Sequence, residues 1–217
     1  FDEWVLIQTP NSAPVKTRVQ FLGRGGVVRE FVTEIGAGRR YSVHVNEYVP
    51  DAEIATRVES LSLEGGEALP VFAERAMYMA TLDGKRGAHD SIGLSTPGPE
   101  WYLPEGTTRA GFDEWVLVMN PNDAGTDVRA TFLTPDGVGN TYDFHMDANS
   151  RFSIHVNDFA QDEDVSTVVT SLDGADVLAE RAMYIHAPDG KRGAHCSIGS
   201  PRSDACWYLP EGTTRPG

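Results

Sequence analysis

Residues 40–46 read RYSVHVN, and residues 151–157 read RFSIHVN. In both stretches every second residue is apolar, with Tyr41, Val43 and Val45 alternating with polar neighbours in the first. A period of two places all the apolar side chains on one face of a β-strand, whereas a helix needs a period of 3.6 residues. The two stretches therefore predict half-buried strands, and their similarity indicates an internal repeat.

The repeat extends over nearly the whole chain. Longer strings recur in the same order: FDEWVL at 1–6 and 112–117, AERAMY at 73–78 and 179–184, DGKRGAH at 83–89 and 189–195, WYLPEGTTR at 101–109 and 207–215. The offset is 111 residues in the early strings and 106 in the later ones, so the first copy has five additional residues between Ser60 and Ala73. This spacing predicts tandem domains at 1–98 and 99–206, followed by a strand segment at 207–217.

Short alternating segments fill each copy. In the first copy Val19 and Phe21 alternate with polar residues, and further segments lie near 3–8, 27–35, 54–61, 69–79 and 87–93, separated by turn sequences rich in Gly, Pro and Asn. About seven short strands in about 105 residues are typical of a two-sheet sandwich. The predicted fold is all-β, with two tandem immunoglobulin-like β-sandwich domains, and a jelly roll is the alternative.

Charge and hydropathy exclude several function classes. The 217 residues include 18 Lys and Arg against 32 Asp and Glu, which gives a net charge of −14. Such a chain is repelled by nucleic acid and by anionic membranes, so no nucleic-acid partner is expected. No apolar run approaches the roughly 18 to 20 residues that span a bilayer, so no membrane insertion is expected either.

The phase of the repeat suggests a way of joining copies. If WYLPEGTTR supplies the opening strand of the domain after it, the first domain lacks that strand. The missing strand must then come from another copy or from a preceding repeat. We expect the acceptor edge at Phe1, Trp4 and Leu6, and copies of the chain joined head to tail. The proposed joining segment consists of Trp207, Tyr208, Leu209, Pro210, Glu211, Thr213, Thr214 and Arg215.

Alternation also predicts the orientation of this segment. Trp207 and Leu209 would share the buried face of a donated strand, with Tyr208 on the other face. The alternative is that the 217 residues are a window from a longer tandem polypeptide, in which the preceding repeat supplies the strand. Both cases predict a rod of repeated domains.

The two cysteines replace acidic residues of the first copy. Cys196 and Cys206 stand where the first copy has Asp90 and Glu100. Because both changes occur in the same copy, we expect the two positions to lie side by side and to form a disulfide. A disulfide favours an extracellular or cell-surface location.

The sequence offers little chemistry. It contains no phosphate-binding Gly loop, no HExxH and no GxSxG, so no enzymatic activity, catalytic residue or metal site is predicted. A hydrolase using His89 and His195 beside Ser91 and Ser197 is a weaker alternative.

Ligands are predicted only as alternatives. Acidic clusters at 51–53 and 162–164 leave calcium binding open as an alternative to a protein without cofactors, although neither cluster has EF-hand spacing. Trp4, Trp101, Trp115 and Trp207 leave a glycan partner open, but all four lie in the repeated junction strings, which favours packing roles.

Taken together, the strings WYLPEGTT, FDEWVLVMNPN, VHVN, AERAMY and GAHDSIG resemble a family of uncharacterised secreted bacterial tandem β-sandwich repeats. The resemblance covers nearly the whole chain, and Cys196 departs from its HDSIG pattern. It implies modules of large surface or exported proteins and brings no catalytic residues. We expect a structural subunit of an extracellular filament or surface assembly, joined by C-terminal strand donation. The alternative is a carbohydrate-binding or adhesin module of a larger secreted or cell-surface protein.

Overall fold

The computed structural model describes residues 1–62, 66–82, 84–210 and 212–215. These residues form an almost entirely β structure. The strands of the first repeat are β1 (Asp2–Gln8), β2 (Val15–Gly23), β3 (Gly26–Ile35), β4 (Arg40–His44), β5 (Ala55–Leu61), β6 (Phe72–Ala80) and β7 (Arg86–Ile92). A single helical turn, α1 (Val45–Tyr48), follows β4.

The second repeat has the same elements and one more strand. Its strands are β8 (Glu100–Leu103), β9 (Phe112–Asn120), β10 (Thr126–Thr134), β11 (Gly137–Met146), β12 (Ser150–His155), β13 (Ser166–Ser171), β14 (Leu178–His186) and β15 (Arg192–Ile198). A 3₁₀ turn at Val156–Asp158 follows β12, as α1 follows β4. The additional strand is β8, which has no counterpart among the described strands of the first repeat.

Each repeat consists of two antiparallel sheets. In the first repeat the strand orders are β4-β1-β6-β7 and β3-β2-β5, and in the second they are β12-β9-β14-β15 and β11-β10-β13-β8. The alternating apolar residues of the two sheets meet in one core per repeat, so each repeat is sandwich-like. The second sheet of the first repeat thus has three described strands where that of the second repeat has four.

Tight turns join the strands within each sheet. Gly26 follows the two-residue turn between β2 and β3 with a φ of +121°, and Gly137 does the same between β10 and β11 with a φ of +119°. Side chains with a Cβ avoid this backbone conformation, so glycine at both positions permits the turn. The hairpin is therefore encoded twice in the sequence.

The recurring string HVN fastens β1 and β9 to their neighbours. Asn46 accepts a hydrogen bond from the backbone N–H of Glu3 at 2.9 Å, and Asn157 accepts one from Glu114 at 2.9 Å. The preceding histidine stacks on a tryptophan in both copies, with ring centroids 4.4 Å apart for His44 and 4.6 Å apart for its counterpart in the second repeat. The string therefore has a structural role in each repeat.

No helix among the described residues is both long enough and apolar enough to cross a membrane.

Candidate functional site

In the second repeat, β8 closes the edge of the sheet beside β13. The register places Trp101 opposite Val169 and Leu103 opposite Thr167. Trp101 is fully buried, and its indole N–H donates hydrogen bonds to the carbonyl oxygens of Val177 at 2.8 Å and of Gly98 at 3.1 Å. The short strand WYL therefore places a large anchor in the core and satisfies its polar atom there.

The turn PEGTTR after β8 is fixed by hydrogen bonds to the loop before β13. The N–H of Val165 donates to the carbonyl oxygen of Gly106 at 2.9 Å, and that of Thr108 donates to Glu163 at 2.9 Å. The guanidinium of Arg109 forms a bidentate ion pair with Asp164, with both nitrogen–oxygen distances at 2.8 Å. Bidentate pairs of this kind add geometric specificity, so the segment is held in one register.

Two buried charged residues, Glu114 and Arg181, lie beneath this turn. Glu105 pairs with Arg181, whose side chain is almost fully buried, and Glu114 lies under Gly106. A Cβ at Gly106 would lie 2.2 Å from a carboxylate oxygen of Glu114, so any side chain at this position would have to displace the buried carboxylate. Burial raises the pKa of Glu114 to about 7, while Arg181 opposes that shift.

The corresponding edge of the first repeat is open. By the register of β2, Val58 in β5 corresponds to Val169 in β13. Among the described residues only β2 pairs with β5, so the far side of β5 has no strand partner there. Unpaired strand edges readily pair with another chain.

Side-chain burial follows the same difference between the repeats. Four residues that are buried in the second repeat have counterparts that are partly exposed in the first: Val169 and Val58, Val177 and Val71, Ala179 and Ala73, Met183 and Met77. All four pairs keep the same residue type, so the difference in burial comes from their surroundings. Of the buried members, Val169, Val177 and Ala179 belong to the same core cluster as Trp101 and Leu103 of β8.

The expected acceptor edge at Phe1, Trp4 and Leu6 is wrong. β1 lies inside its sheet, with Trp4 and Leu6 paired to β4 on one side and to β6 on the other. The first strand of the repeat is internal because β6 returns beside it late in the sequence. The open edge belongs to β5, in the other sheet.

The joining segment is exposed along its described length. Trp207, Tyr208 and Leu209 have 60%, 88% and 86% of their surface accessible to solvent. The described part of the segment forms no strand, and its hydrogen bonds are local, such as that from the Trp207 indole N–H to Asp204 at 3.2 Å. Pro210, Thr213, Thr214 and Arg215 are also exposed, and Glu211 lies outside the described residues.

The expected disulfide between Cys196 and Cys206 is absent, and both residues are free thiols. Cys196 lies in β15, and its thiol faces the first repeat, where it donates a hydrogen bond to the Asp90 carbonyl oxygen at 2.9 Å. Cys206 is exposed in the segment beyond β15. Comparison of the copies identified two positions that changed together, but it carried no information on the direction of either side chain.

The acidic clusters are engaged by arginines. Glu53 pairs with Arg151 at 2.6 Å, and Asp164 pairs with Arg109. Within the described ranges no group of three or more His, Cys, Asp or Glu side chains is gathered as metal ligands would be. Calcium binding remains a prediction without geometric support.

The recurring histidines lie in different surroundings in the two repeats. Both ring nitrogens of His89 are buried and have no hydrogen-bond partner among the described atoms. Burial lowers the pKa of His89 to about 4, with Arg75 contributing in the same direction. In the second repeat His195 lies 3.3 Å from the guanidinium of Arg181. Neither arrangement includes the hydrogen bond to a serine hydroxyl that a hydrolase nucleophile needs.

Fold and site together define an all-β protein of sandwich-like repeats in which one sheet edge is closed by a strand in the second repeat and is open in the first. No protein-family model matches the chain, and no curated protein matches it.

Solved structures show only a distant similarity. The chain is similar to Thermotoga maritima 1070, with 16% identity over 48% of this chain and 95% of that one and a TM-score of 0.44. It is also similar to the Anabaena sensory rhodopsin transducer, with 21% identity over 40% of this chain and 97% of that one and a TM-score of 0.35.

Proposed function

We propose that this chain is a structural subunit of an extracellular filament or surface assembly, in which the segment WYLPEGTTR of one copy completes the first repeat of the next. One observation carries the proposal: the same string is a buried edge strand where it precedes the second repeat and is exposed where it follows that repeat. The open edge of β5 offers the place where it would bind. The extracellular location rests on the resemblance to exported repeats.

The second repeat supplies a template for the joint. Transferring the pairing of β8 with β13 to the first repeat places Trp207 opposite Val58 and Leu209 opposite Thr56. Both apolar side chains then enter the core beside Val71 and Ala73, the counterparts of Val177 and Ala179, and Tyr208 faces outward as Tyr102 does. Each buried side chain contributes roughly 1.5 to 3 kcal/mol, in addition to the backbone hydrogen bonds of the new strand.

We further propose that each repeat is a variant of the immunoglobulin-like sandwich. The pairs β9–β12 and β10–β13 lie in opposite sheets, as the central B–E and C–F pairs of that fold do. The variant differs because β14 joins β9 instead of extending the β10–β13 sheet. β8 takes that edge position, and in the first repeat the same position is available to a donated strand.

Few of the observations favour glycan binding. Carbohydrate-binding sandwiches present bare aromatic faces, but the Trp4 and Trp115 rings are stacked against histidines and Trp101 is buried. Of the four tryptophans, only Trp207 is largely exposed. Its proposed partner is the core of another copy.

The size of the protein in solution tests the proposal. The intact chain should form a concentration-dependent series of oligomers by light scattering, and deletion of residues 207–217 should leave a monomer. Trp207→Ser should also abolish assembly because the anchor is lost. Tyr208→Ser, the matched control on the outward face, should retain it. A monomeric intact chain, or oligomers that persist after the deletion, would contradict the proposal.

A further inference from the structure

The two repeats contact each other at the open end of the first. The guanidinium of Arg75 in β6 forms an ion pair with Glu180 in β14, and the ring of His89 in β7 lies 5.9 Å from that of Tyr184. Cys196 donates its hydrogen bond to β7 at the same contact. Strands β14 and β15 therefore cover the part of the first repeat where its sheet β6-β7 lacks a covering turn.

In the second repeat, the counterpart of Arg75 pairs with a carboxylate of its own repeat. Arg75 corresponds to Arg181, and Arg181 pairs with Glu105 of the turn that follows β8. The equivalent arginines of the two repeats thus pair with different carboxylates. Arg181 pairs with Glu105 of the PEGTTR turn in its own repeat, and Arg75 pairs with Glu180 of the neighbouring repeat. By sequence, the carboxylate that a donated segment would bring to Arg75 is that of Glu211.

Glycine positions show that the contact is specific to the first repeat. A Cβ at Gly87 would lie 2.7 Å from the backbone nitrogen of Ala194 and 2.8 Å from the carbonyl carbon of Gly193. Gly193 is the counterpart of Gly87, and a Cβ there would meet nothing within 4 Å. In a repeat already completed by its strand and turn, this position therefore tolerates a side chain. Only the contact with β15 requires glycine at position 87.

We propose that β14 and β15 of the second repeat hold the acceptor site of the first repeat closed, and that a donated WYLPEGTTR segment from another copy must displace them. This inference rests on the proposed function. The Glu180 carboxylate stands at Arg75 in place of the donated one, and the ring of Tyr184 lies against His89, the counterpart of His195. The free chain is then a poor acceptor, and donation separates the two repeats.

Only chains in which β14 and β15 have moved away from the first repeat can bind the donated segment. The apparent affinity is therefore the intrinsic affinity multiplied by the fraction of such chains. A substitution that weakens only the contact between repeats should therefore tighten binding. Gly87→Ala meets this condition because its Cβ clashes with β15 and has room in a completed repeat. Gly193→Ala is the matched control, because its Cβ clashes with nothing.

The affinity experiment uses the full chain carrying Trp207→Ser, which cannot donate its own segment, and a fluorescent synthetic peptide of sequence WYLPEGTTRPG. We expect Gly87→Ala to bind the peptide at least about fivefold more tightly than the parent, and Gly193→Ala to bind it equally. Equal or weaker binding by Gly87→Ala would overturn the inference. Absence of peptide binding by all three proteins would instead refute strand donation itself.

Cys196 provides a second readout that needs no substitution at the contact. In a Trp207→Ser, Cys206→Ser background it is the remaining cysteine, and burial raises the pKa of its thiol to about 11. Saturating peptide should speed its alkylation by iodoacetamide severalfold, because displacement of β15 from β7 exposes the thiol and restores its ordinary acidity. An alkylation rate that bound peptide leaves unchanged would overturn the inference.

Discussion

Glu114 illustrates how a single buried carboxyl links the covering turn, which is the PEGTTR turn at residues 104–109, to stability. The unfolded side chain titrates near 4.5, whereas burial raises the pKa to about 7 in the folded chain. Between these values the folded state binds more protons than the unfolded state, so this residue's contribution to stability falls as pH rises from about 4.5 to 7.

Glu114→Gln should remove this dependence. Relative to the parent, the variant should gain up to roughly 3 kcal/mol of unfolding free energy between pH 4.5 and pH 7.5, because glutamine carries no charge to bury. Urea unfolding at a series of pH values measures the difference. His195 titrates in both the parent and the variant, so its effect largely cancels from the difference in unfolding free energy. Parallel stability curves for parent and variant would contradict the assigned burial.

The two copies of the WYL string allow a matched substitution. Trp101→Ala should destabilise the second repeat by about 3–5 kcal/mol, because the indole is fully buried and its loss leaves a cavity. Trp207→Ala should leave the unfolding free energy of the unassembled chain unchanged, because that ring is exposed. Chemical denaturation of dilute protein compares them. A loss of similar size at both positions would show that Trp207 is buried within its own chain.

Residue roles were only partly predictable from sequence. Strand alternation predicts one face for the first and third residues of WYL, and in β8 Trp101 and Leu103 are buried while Tyr102 faces outward. The predicted Cys196–Cys206 disulfide is not found in the structure, where Cys196 faces the other repeat. That direction depends on how the two repeats pack, and a pattern within one strand does not encode it.

At the scale of elements, substitution of Gly106 tests the role of the covering turn. Gly106→Ala should destabilise the second repeat by about 1–3 kcal/mol, since a Cβ there overlaps the buried carboxylate of Glu114. Gly212→Ala changes the equivalent residue of the joining segment, where a Cβ meets nothing within 4 Å. It should leave the monomer's thermal midpoint unchanged and weaken assembly. A thermal shift of equal size in both variants would contradict this difference.

Strand positions were well predicted, and strand partners were not. The segments expected near 3–8, 27–35, 54–61 and 87–93 correspond to β1, β3, β5 and β7 within one or two residues, whereas the segment expected at 69–79 is β6, which begins only at Phe72. Alternation fixes which face of a strand is buried. It does not specify the neighbouring strand, which is why the acceptor edge was placed on β1 and not on β5. The helical turn at Val45–Tyr48 was also missed, because Val45 continues the alternating pattern of β4.

At the scale of the whole molecule, the described strands of the two repeats differ although the sequences are similar, with three in the second sheet of the first repeat and four in that of the second. The second repeat encloses a larger buried cluster, with Trp101 and Leu103 supplied by β8, and the first has partly exposed residues at matching positions. Sequence comparison alone revealed the shared string but not which edge it closes. The structure of one repeat supplies the template for the other.

Backbone amide hydrogen exchange of β5 tests strand donation most directly. Saturating WYLPEGTTRPG peptide, added to the full chain carrying Trp207→Ser, should protect the amides of β5 that point toward its open edge, because a new strand accepts their hydrogen bonds. Amides of β3, at the opposite edge of the same sheet, should exchange as before. Unchanged exchange in β5, or protection confined to another edge, would contradict the account.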